Sequence, residues 1–332
     1  MSGTFVTIVI PALNEREYII GTLDEIISGA SGYEHEVIVA DGGSTDGTQA
    51  LVEAYAKDHP AVRLIDNPER LQAAAVNLAA RQADSRTVVL VRADAHCSYP
   101  PRFVSMVVDA LLANSAQSVV VPMFTVGDDG TFQEAVALAQ NSKLGNGGSA
   151  HRAAEAPSGW VDHGHHAAFD LGFFRNLGGY DESFATNEDA EYDTRVAAAG
   201  GRVWMNREAE INYYPRRTAS SLAKQYFGYG RGRAGTILKH GVRPKPRQMA
   251  PLVIFCTTVA SIAFSPICVL SLLPLFGYLG LCLLYALKIC AGQGAREAKA
   301  LQVCSAFVIM HNAWGAGFVA GCLRRALRRF LK

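Results

Sequence analysis

The 332-residue chain has no surplus of either charge: 31 Lys and Arg stand against 30 Asp and Glu, a formal net charge of +1. That balance leaves no electrostatic footprint for nucleic acid. Its seven cysteines follow no metal-ligand spacing. Cys256, Cys268, Cys282, Cys290 and Cys304 sit in or beside apolar runs, with Cys322 close behind. Buried thiols are therefore expected, not a disulfide framework. The opening MSGTFVTIVIP has no basic segment ahead of its short apolar stretch, so it reads as a first strand and not as a signal peptide. There is no GxGxxG and no Walker lysine, which argues against a dinucleotide or P-loop site. Internal repeats and low-complexity linkers are lacking too.

What the chain does have is two long runs without charge. Ala250 to Leu287 and Leu301 to Leu323 contain no Asp, Glu, Lys or Arg. A membrane-crossing helix needs about 20 mostly apolar residues. The first run suffices for two helices, with a break near Ser265-Pro266 or Leu273-Pro274, and the second for one. The competing reading is a helical hairpin buried in a soluble protein. Arg243, Lys245 and Arg247 before the first run, and Lys288, Arg296 and Lys299 after it, fit a hairpin with both ends cytoplasmic. The tail then carries Arg324, Arg325, Arg328, Arg329 and Lys332. Three full crossings would place that tail outside, against the positive-inside rule. A re-entrant or interfacial third segment, with the tail on anionic lipid, removes the conflict. The expected division is a domain over 1–240, a membrane region over 249–323 with two to three helices, and a basic tail over 324–332.

The front of the chain alternates strand and helix signals. TFVTIVIP, HEVIVAD, VRLIDN, TVVLVRAD and SVVVPMF read as strands. Helices are expected from Glu15 to Ile27, from Thr48 to Lys57, from Pro68 through LQAAAVNLAARQ, and from Pro100-Pro101 onward. This rhythm predicts an α/β fold with a mostly parallel sheet and helices on both faces. Ligands of such sheets bind outside the carboxyl ends of the strands. Asn14 and Glu15, Asp41, and Asp94 with His96 all follow strand ends, so they converge on one crevice.

Three constellations carry chemistry. In the first, PALNE and DGGSTDG combine a strand-end carboxylate with glycines that let a ligand approach the backbone. The same DGGSTDG also suits a plain turn in which Asp46 or Thr45 caps the next helix. In the second, Asp94 and His96 of RADAH flank a turn. A carboxylate and an imidazole suit Mn²⁺, and Mg²⁺ through carboxylate and diphosphate oxygens. The alternative is a cap and a packed ring. The third is TNEDAEYD, four carboxylates in six positions at a helix start. Acidic first turns favour the helix dipole, and crowding raises carboxylate pKa values, which suits a general base. GGYDE ahead of it is a turn able to position this helix. Among His163, His165 and His166, one histidine is expected near the metal or acceptor. KQYFGYGRGR offers cations for a diphosphate, or equally a basic interfacial segment.

Together, over roughly residues 5–235, VIPALNE, DGGSTDGT, the Asp-x-Asp-like turn, GGYDE and the NED helix start resemble the family-2 inverting glycosyltransferases of GT-A fold. RADAH, LGNGGSAHR and YGRGR, with the apolar tail, are similar to the succinoglycan-biosynthesis β-1,3-glucosyltransferase group. The resemblance implies that Pro11, Asn14, Glu15, Asp41 and Ser44 surround the nucleotide, with Arg70 and Arg92 on the nucleotide sugar. It implies Asp94 at a divalent cation (Mn²⁺ or Mg²⁺) with help from His96, and Asp189 as catalytic base supported by Glu188. It implies His165, Gln225, Arg231 and Arg233 at the acceptor or diphosphate. Two departures stand out. Arg92 occupies the place of the first Asp of Asp-x-Asp, and the Gln-x-x-Arg-Trp motif of processive relatives is absent. The implied activity is single transfer of a hexose, glucose being expected, from a UDP-sugar to a polyprenyl-diphosphate-linked sugar in bacterial exopolysaccharide synthesis. The implied setting is the cytoplasmic face of the inner membrane, with membrane lipid and other polysaccharide-assembly enzymes as partners and no nucleic acid. A polyprenyl-phosphate acceptor, a sugar nucleotidyltransferase, and a non-catalytic glycan-binding or scaffold protein are the alternatives.

Overall fold

The computed structural model describes residues 3–148, 157–244, 246–293 and 298–330. Lys245, Arg296, Lys332 and the Ser149–Arg152 end of LGNGGSAHR lie outside the described residues. The strands are β1 (Phe5–Ala12), β2 (Glu34–Asp41), β3 (Val62–Asp66), β4 (Thr87–Arg92), β5 (Cys97–Ser98), β6 (Ser118–Val121), β7 (Met123–Thr125), β8 (Gly159–Val161), β9 (His165–Asp170), β10 (Val203–Met205) and β11 (Ile211–Tyr213). The helices are α1 (Ile19–Gly29), α2 (Thr48–Asp58), α3 (Gln72–Gln82), α4 (Phe103–Asn114), α5 (Phe132–Gln140), α6 (Lys143–Asn146), α7 (Leu171–Asn176), α8 (Glu188–Ala198), α9 (Ala219–His240), α10 (Pro246–Phe264), α11 (Leu273–Gly292) and α12 (Ala298–Phe330).

Two compact units result, Met1–Phe124 with Ala150–Tyr213, and Thr125–Ser149 with Tyr214–Lys332. The chain is thus shared out less simply than by a cut near residue 240. The stretch carrying α5 and α6 goes with the C-terminal helices.

In the first unit the main sheet runs β3-β2-β1-β4-β9-β6-β10-β8. β1 pairs in parallel with β2 and β4, β2 with β3, and β6 with β10. β9 enters between β4 and β6, antiparallel to both, and β8 closes the edge antiparallel to β10. The sheet is mostly parallel, as the alternating elements predict. Val6, Ile8 and Ile10 pack into one layer with Leu23 of α1, Val52 of α2 and Val104 of α4. Val9, Ile38 and Leu90 face the other, with Val76 of α3, Phe174 of α7 and Val196 of α8. Burial on both faces explains why these strands read as continuous apolar runs.

Helix starts differ from the sequence expectation where local bonds intervene. α1 begins at Ile19 instead of Glu15, because residues 14–16 bond across to the β2–α2 turn. α3 begins at Gln72, after Arg70 takes a left-handed φ of 56° and Leu71 is extended. Arg102, at φ 62°, likewise delays α4 to Phe103. In the second unit α10 ends at Phe264 and α11 starts at Leu273, matching both suspected breaks. Three stretches there, Pro246–Phe264, Val269–Gly292 and Lys299–Leu327, are long and apolar enough to cross a membrane.

Candidate active site

At the carboxyl ends of β1 and β2 the DGGSTDG segment is knitted into a rigid turn. Asp41 Oδ1 accepts from the backbone N–H of Gly43 and Ser44, each at 2.8 Å, and from Gln49 Nε2 at 2.6 Å. Its Oδ2 accepts from the Ser44 hydroxyl. Asn14, left-handed at φ 58°, accepts from Thr45 N and donates its own N–H to Ser44 Oγ. Asp46 accepts from the first-turn N–H of Thr48, but the N-cap of α2 is the left-handed Gly47 and not Asp46 or Thr45. Arg70 reaches over the turn, its Nη2 3.3 Å from Gly43 O. Asn14, Asp41, Ser44 and Arg70 therefore share one crevice edge. Pro11 lies on β1 beside it, and Glu15 turns to His96, whose Nδ1 is 2.9 Å from Glu15 Oε1.

After β4, Tyr99 fastens the RADAH turn. Its hydroxyl accepts from Asp94 N and donates to Asp94 O. Asp94 is buried and accepts from Gln72 Nε2 at 2.6 Å. Arg92 is the hub. With a side chain only 3% exposed, its Nε lies 3.1 Å from Asp94 Oδ1 and its Nη1 2.7 Å from Asp189 Oδ1. The same Nη1 donates to Tyr180 O–H at 3.1 Å, and Glu188 Oε1 is 3.8 Å away. The strand-end arginine thus joins the Asp-x-Asp-like turn to the acidic helix start.

β9 and α8 build the far wall. Because β9 is inserted beside β4, its first residues arrive next to both aspartates. His165 Nε2 is 3.6 Å from Asp94 Oδ2, and its Nδ1 is 4.0 Å from Asp189 Oδ2. His166, fully buried, has Nδ1 3.1 Å from Asp189 Oδ1 and Nε2 2.7 Å from Asp193 Oδ1. Tyr180 donates its hydroxyl to Asp189 Oδ1 at 2.8 Å. The GGYDE turn is held by Asn77 of α3, which accepts from Tyr180 N and donates to Tyr180 O. Gly179 sits at φ 68°, and a Cβ there would lie 2.3 Å from Asn77 Oδ1, so only glycine fits. Arg195 ties α8 to the same turn through the carbonyls of Leu177 and Gly179. Asp189 Oδ1 is saturated by Arg92, Tyr180 and His166, while the contact of Oδ2 is His165 Nδ1 at 4.0 Å.

A model for Glycosyl transferase family 2 matches residues 7–178. Succinoglycan biosynthesis protein ExoA of Rhizobium meliloti (strain 1021) is 44% identical over 322 residues, covering 96% of this chain and 95% of that protein. The chain belongs to glycosyltransferase family 2. A dolichyl-phosphate beta-glucosyltransferase, ALG5C of Trichomonas vaginalis, is 33% identical over 101 residues, 28% of this chain and 30% of its own. Among solved structures, the mannosyltransferase PcManGT from Pyrobaculum calidifontis, in complex with GDP-Man and Mn²⁺, superposes with a TM-score of 0.63 at 20% identity over 96% of this chain and 86% of its own. The transferase fold is GT-A.

Electrostatics divide the transferase's two neighbouring acids. Burial opposes ionisation of Asp189, but Arg92 and His166 outweigh it and hold the carboxyl well below the usual range. Glu188 is pushed up to about 7 by burial and by the Asp189 charge, against the pull of Arg92. The raised pKa expected from crowded carboxylates therefore falls on Glu188 and not on Asp189. The reason is that Asp189 is the one that meets the buried cations. Burial also keeps His165 neutral, its pKa lowered to about 4 despite nearby Asp94. His166 goes the other way, to about 9, because Asp193 and Asp189 overcome its burial.

A neutral imidazole and an ionised carboxylate are the forms that ligate Mn²⁺. Asp94 and His165, 3.6 Å apart, fit such an ion and would hold it, and it would supply positive charge beside a diphosphate. No group of three or more metal-binding side chains occurs among the described residues. His96 points its Nδ1 at Glu15, so the histidine nearest the Asp94 carboxylate is His165.

Gln225, Arg231 and Arg233 lie on α9 of the second unit. Gln225 Nε2 donates to Tyr229 O–H at 3.0 Å. Arg231 is exposed, and Arg233 is half-buried, its pKa pulled down by burial. His166 and Asp193 lay within the histidine and acidic segments without a role of their own, and Gln72, Asn77 and Tyr99 were missed. Their only sequence signal was polarity inside otherwise apolar elements.

Proposed function

We propose that this transferase moves a hexose, glucose first, from a UDP-sugar to a polyprenyl-diphosphate-linked sugar with inversion, at the cytoplasmic face of a bacterial inner membrane during exopolysaccharide synthesis. The observation that carries the reading is Asp189: a carboxylate with one oxygen locked by Arg92, Tyr180 and His166 and one oxygen open, within 4.0 Å of the histidine beside Asp94. An acceptor hydroxyl at Oδ2 gives its proton to Asp189 as its oxygen bonds the anomeric carbon. The bond from that carbon to the diphosphate breaks on the opposite face, and UDP departs. A divalent cation on Asp94 and His165 would neutralise charge on the departing diphosphate. Arg92 keeps Asp189 in the ionised form that can accept a proton, at a cost in basicity, and Glu188, at the higher pKa, stands behind it. Asn14, Asp41, Ser44 and Arg70 line the nucleotide edge. The relation to the Rhizobium meliloti succinoglycan protein supports the exopolysaccharide setting. The dolichyl-phosphate relative supports a second reading, transfer to polyprenyl phosphate itself.

Product analysis with a panel of UDP-sugars against lipid-diphosphate-sugar and polyprenyl-phosphate acceptors separates the two, and the anomeric configuration of the product tests inversion. Asp189→Asn is expected to abolish transfer, a loss of at least about 10³-fold, while UDP binding stays near wild type. Near-normal turnover of that variant would falsify the base assignment.

A further inference from the structure

The third apolar helix is unlike the other two. In the candidate span Lys299–Leu327, 44% of the window is buried inside the protein, against 6% for Pro246–Phe264 and 11% for Val269–Gly292. Part of that cover is the α10–α11 hairpin, which α12 crosses: a Cβ on Gly315 would sit 2.4 Å from Phe255 Cβ, and Cys282, Ala286 and Cys290 pack with Val303, Ala306 and Phe307. The rest is the polar part of the unit. α9 lies against α12 backbone to backbone. A Cβ on Gly317 would sit 2.0 Å from Phe227 O, and one on Gly230 would sit 1.9 Å from Trp314 O. One on Gly321 would meet Ala234 Cβ at 2.8 Å and Arg231 O at 3.1 Å. From Phe227–Gly317 to Ala234–Gly321 the residue numbers rise together, so the two helices run parallel. α9 carries Lys224, Arg231, Arg233 and Lys239. Each such cation at a bilayer centre costs about 2.5–3.5 kcal/mol on insertion scales.

The N-terminal half of α12 is bound to a second polar element. Val303, Ala306, Phe307 and Met310 pack with Ala135, Val136 and Ala139 of α5. Lys299 Nζ lies 2.7 Å from Glu134 Oε2 and donates to Thr131 O at 3.0 Å. His311 Nε2 meets Leu144 O at 3.1 Å. Carrying α12 across a bilayer would drag α5, α6 and α9 with it. The α10–α11 hairpin meets α12 but leaves its tip bare: Ile262, Phe264, Ile267, Val269, Leu270 and Leu273 are exposed.

Charge distribution fits the same division. Thr125–Ser149 and Tyr214–Lys332 hold 18 of the chain's 31 Lys and Arg but only 4 of its 30 Asp and Glu. The near-neutral chain is therefore one acidic and one basic unit. Because α9 and α12 are parallel, the basic end of α12, with Arg324 exposed, lies at the same end of the pair as the last turn of α9.

We propose that α12 does not cross the bilayer. Only the α10–α11 hairpin inserts, the α9–α12 pair stays at the interface, and Arg324 and Arg325 face anionic phospholipid headgroups. The hairpin contributes two crossings or none, so both ends of the chain lie on one side. This removes the conflict of the basic tail with the positive-inside rule, and it stands apart from the sugar-transfer reading.

The test uses the full-length chain with a short epitope tag before Met1 or after Lys332, in native membranes. Protease access is compared in spheroplasts and inverted vesicles. Both tags digested from the same side is the expected result; tags on opposite sides overturn the proposal. For the headgroups, the protein is placed in nanodiscs of neutral lipid or with about 30% anionic lipid, the latter carrying the surface potential that attracts basic segments. Trypsin cleavage at Arg324 and Arg325 is expected to be at least about fivefold slower on the anionic surface, and restored by about 1 M salt, where the Debye length is about 3 Å. Equal rates in both lipids overturn the headgroup contact.

Discussion

Arg92→Met tests the centre of the site. The substitution keeps an unbranched side chain of similar reach and removes the guanidinium. It takes the guanidinium from buried Asp94, from which Arg92 Nε stands 3.1 Å, and from half-buried Asp189, 2.7 Å from Nη1. Breaking a buried pair by deleting one partner costs about 3–5 kcal/mol. For a unit of this size each kcal/mol moves the melting temperature by about 2–4 °C, so a fall of roughly 6–20 °C is expected. Adding Asp189→Asn removes one of the two carboxylate charges. The double variant should therefore be less destabilised than the sum of the singles, by about 1–3 kcal/mol. Arg92→Lys should fall between, because an ammonium cannot fork to two carboxylates. Arg92→Asp is the sharper case. It restores the usual Asp-x-Asp motif, yet places a new carboxylate beside Asp94 and Asp189, and it should be worse than Arg92→Met. The assay is thermal unfolding in detergent alongside sugar transfer. Arg92→Met melting within about 2 °C of wild type, with normal turnover, would refute the view that this guanidinium holds the site together.

Three further outcomes follow from the geometry. His165→Ala should weaken Mn²⁺-dependent UDP binding by about 10–100-fold, as loss of a metal-site partner does. His96→Ala should have the smaller effect, and calorimetric titrations showing the reverse order would return the metal role to His96. Glu188→Gln mimics the protonated acid. Because the folded pKa of Glu188 is raised to about 7, wild type has its full stability below the unfolded value near 4.3 and loses it as pH rises towards 7. The variant should therefore gain on wild type by about 2–3 kcal/mol between pH 4.5 and 8. A stability difference independent of pH would contradict the raised value. Gly179→Ala should cost more than about 2 kcal/mol, since it combines a left-handed φ with collision against Asn77. A neutral effect in denaturant unfolding would show that the GGYDE turn is not pinned as described.

Much of this transferase was legible in its sequence, and for a local reason. Apolar period and strand-end polarity are short-range signals, so β1 to β4, α2 and the acidic start of α8 stand where the pattern puts them, and Asn14, Asp41 and Asp94 fall at strand ends. The long uncharged runs likewise announced three apolar helices. What the sequence did not decide was who meets whom. β9 is read locally as any short strand. Only its insertion between β4 and β6 carries His165 and His166 to the two aspartates. Four acids in six positions suggested a raised pKa for Asp189. The tertiary structure brings Arg92 and His166 to that oxygen from distant positions and leaves Glu188 with the raised value. YGRGR on α9 reads from sequence as cations or a basic interfacial segment, but Gly230 is there because α12 passes at backbone distance. Periodicity tells which face of an element is covered. Long-range packing alone decides what covers it, and thereby sets charge state and chemistry.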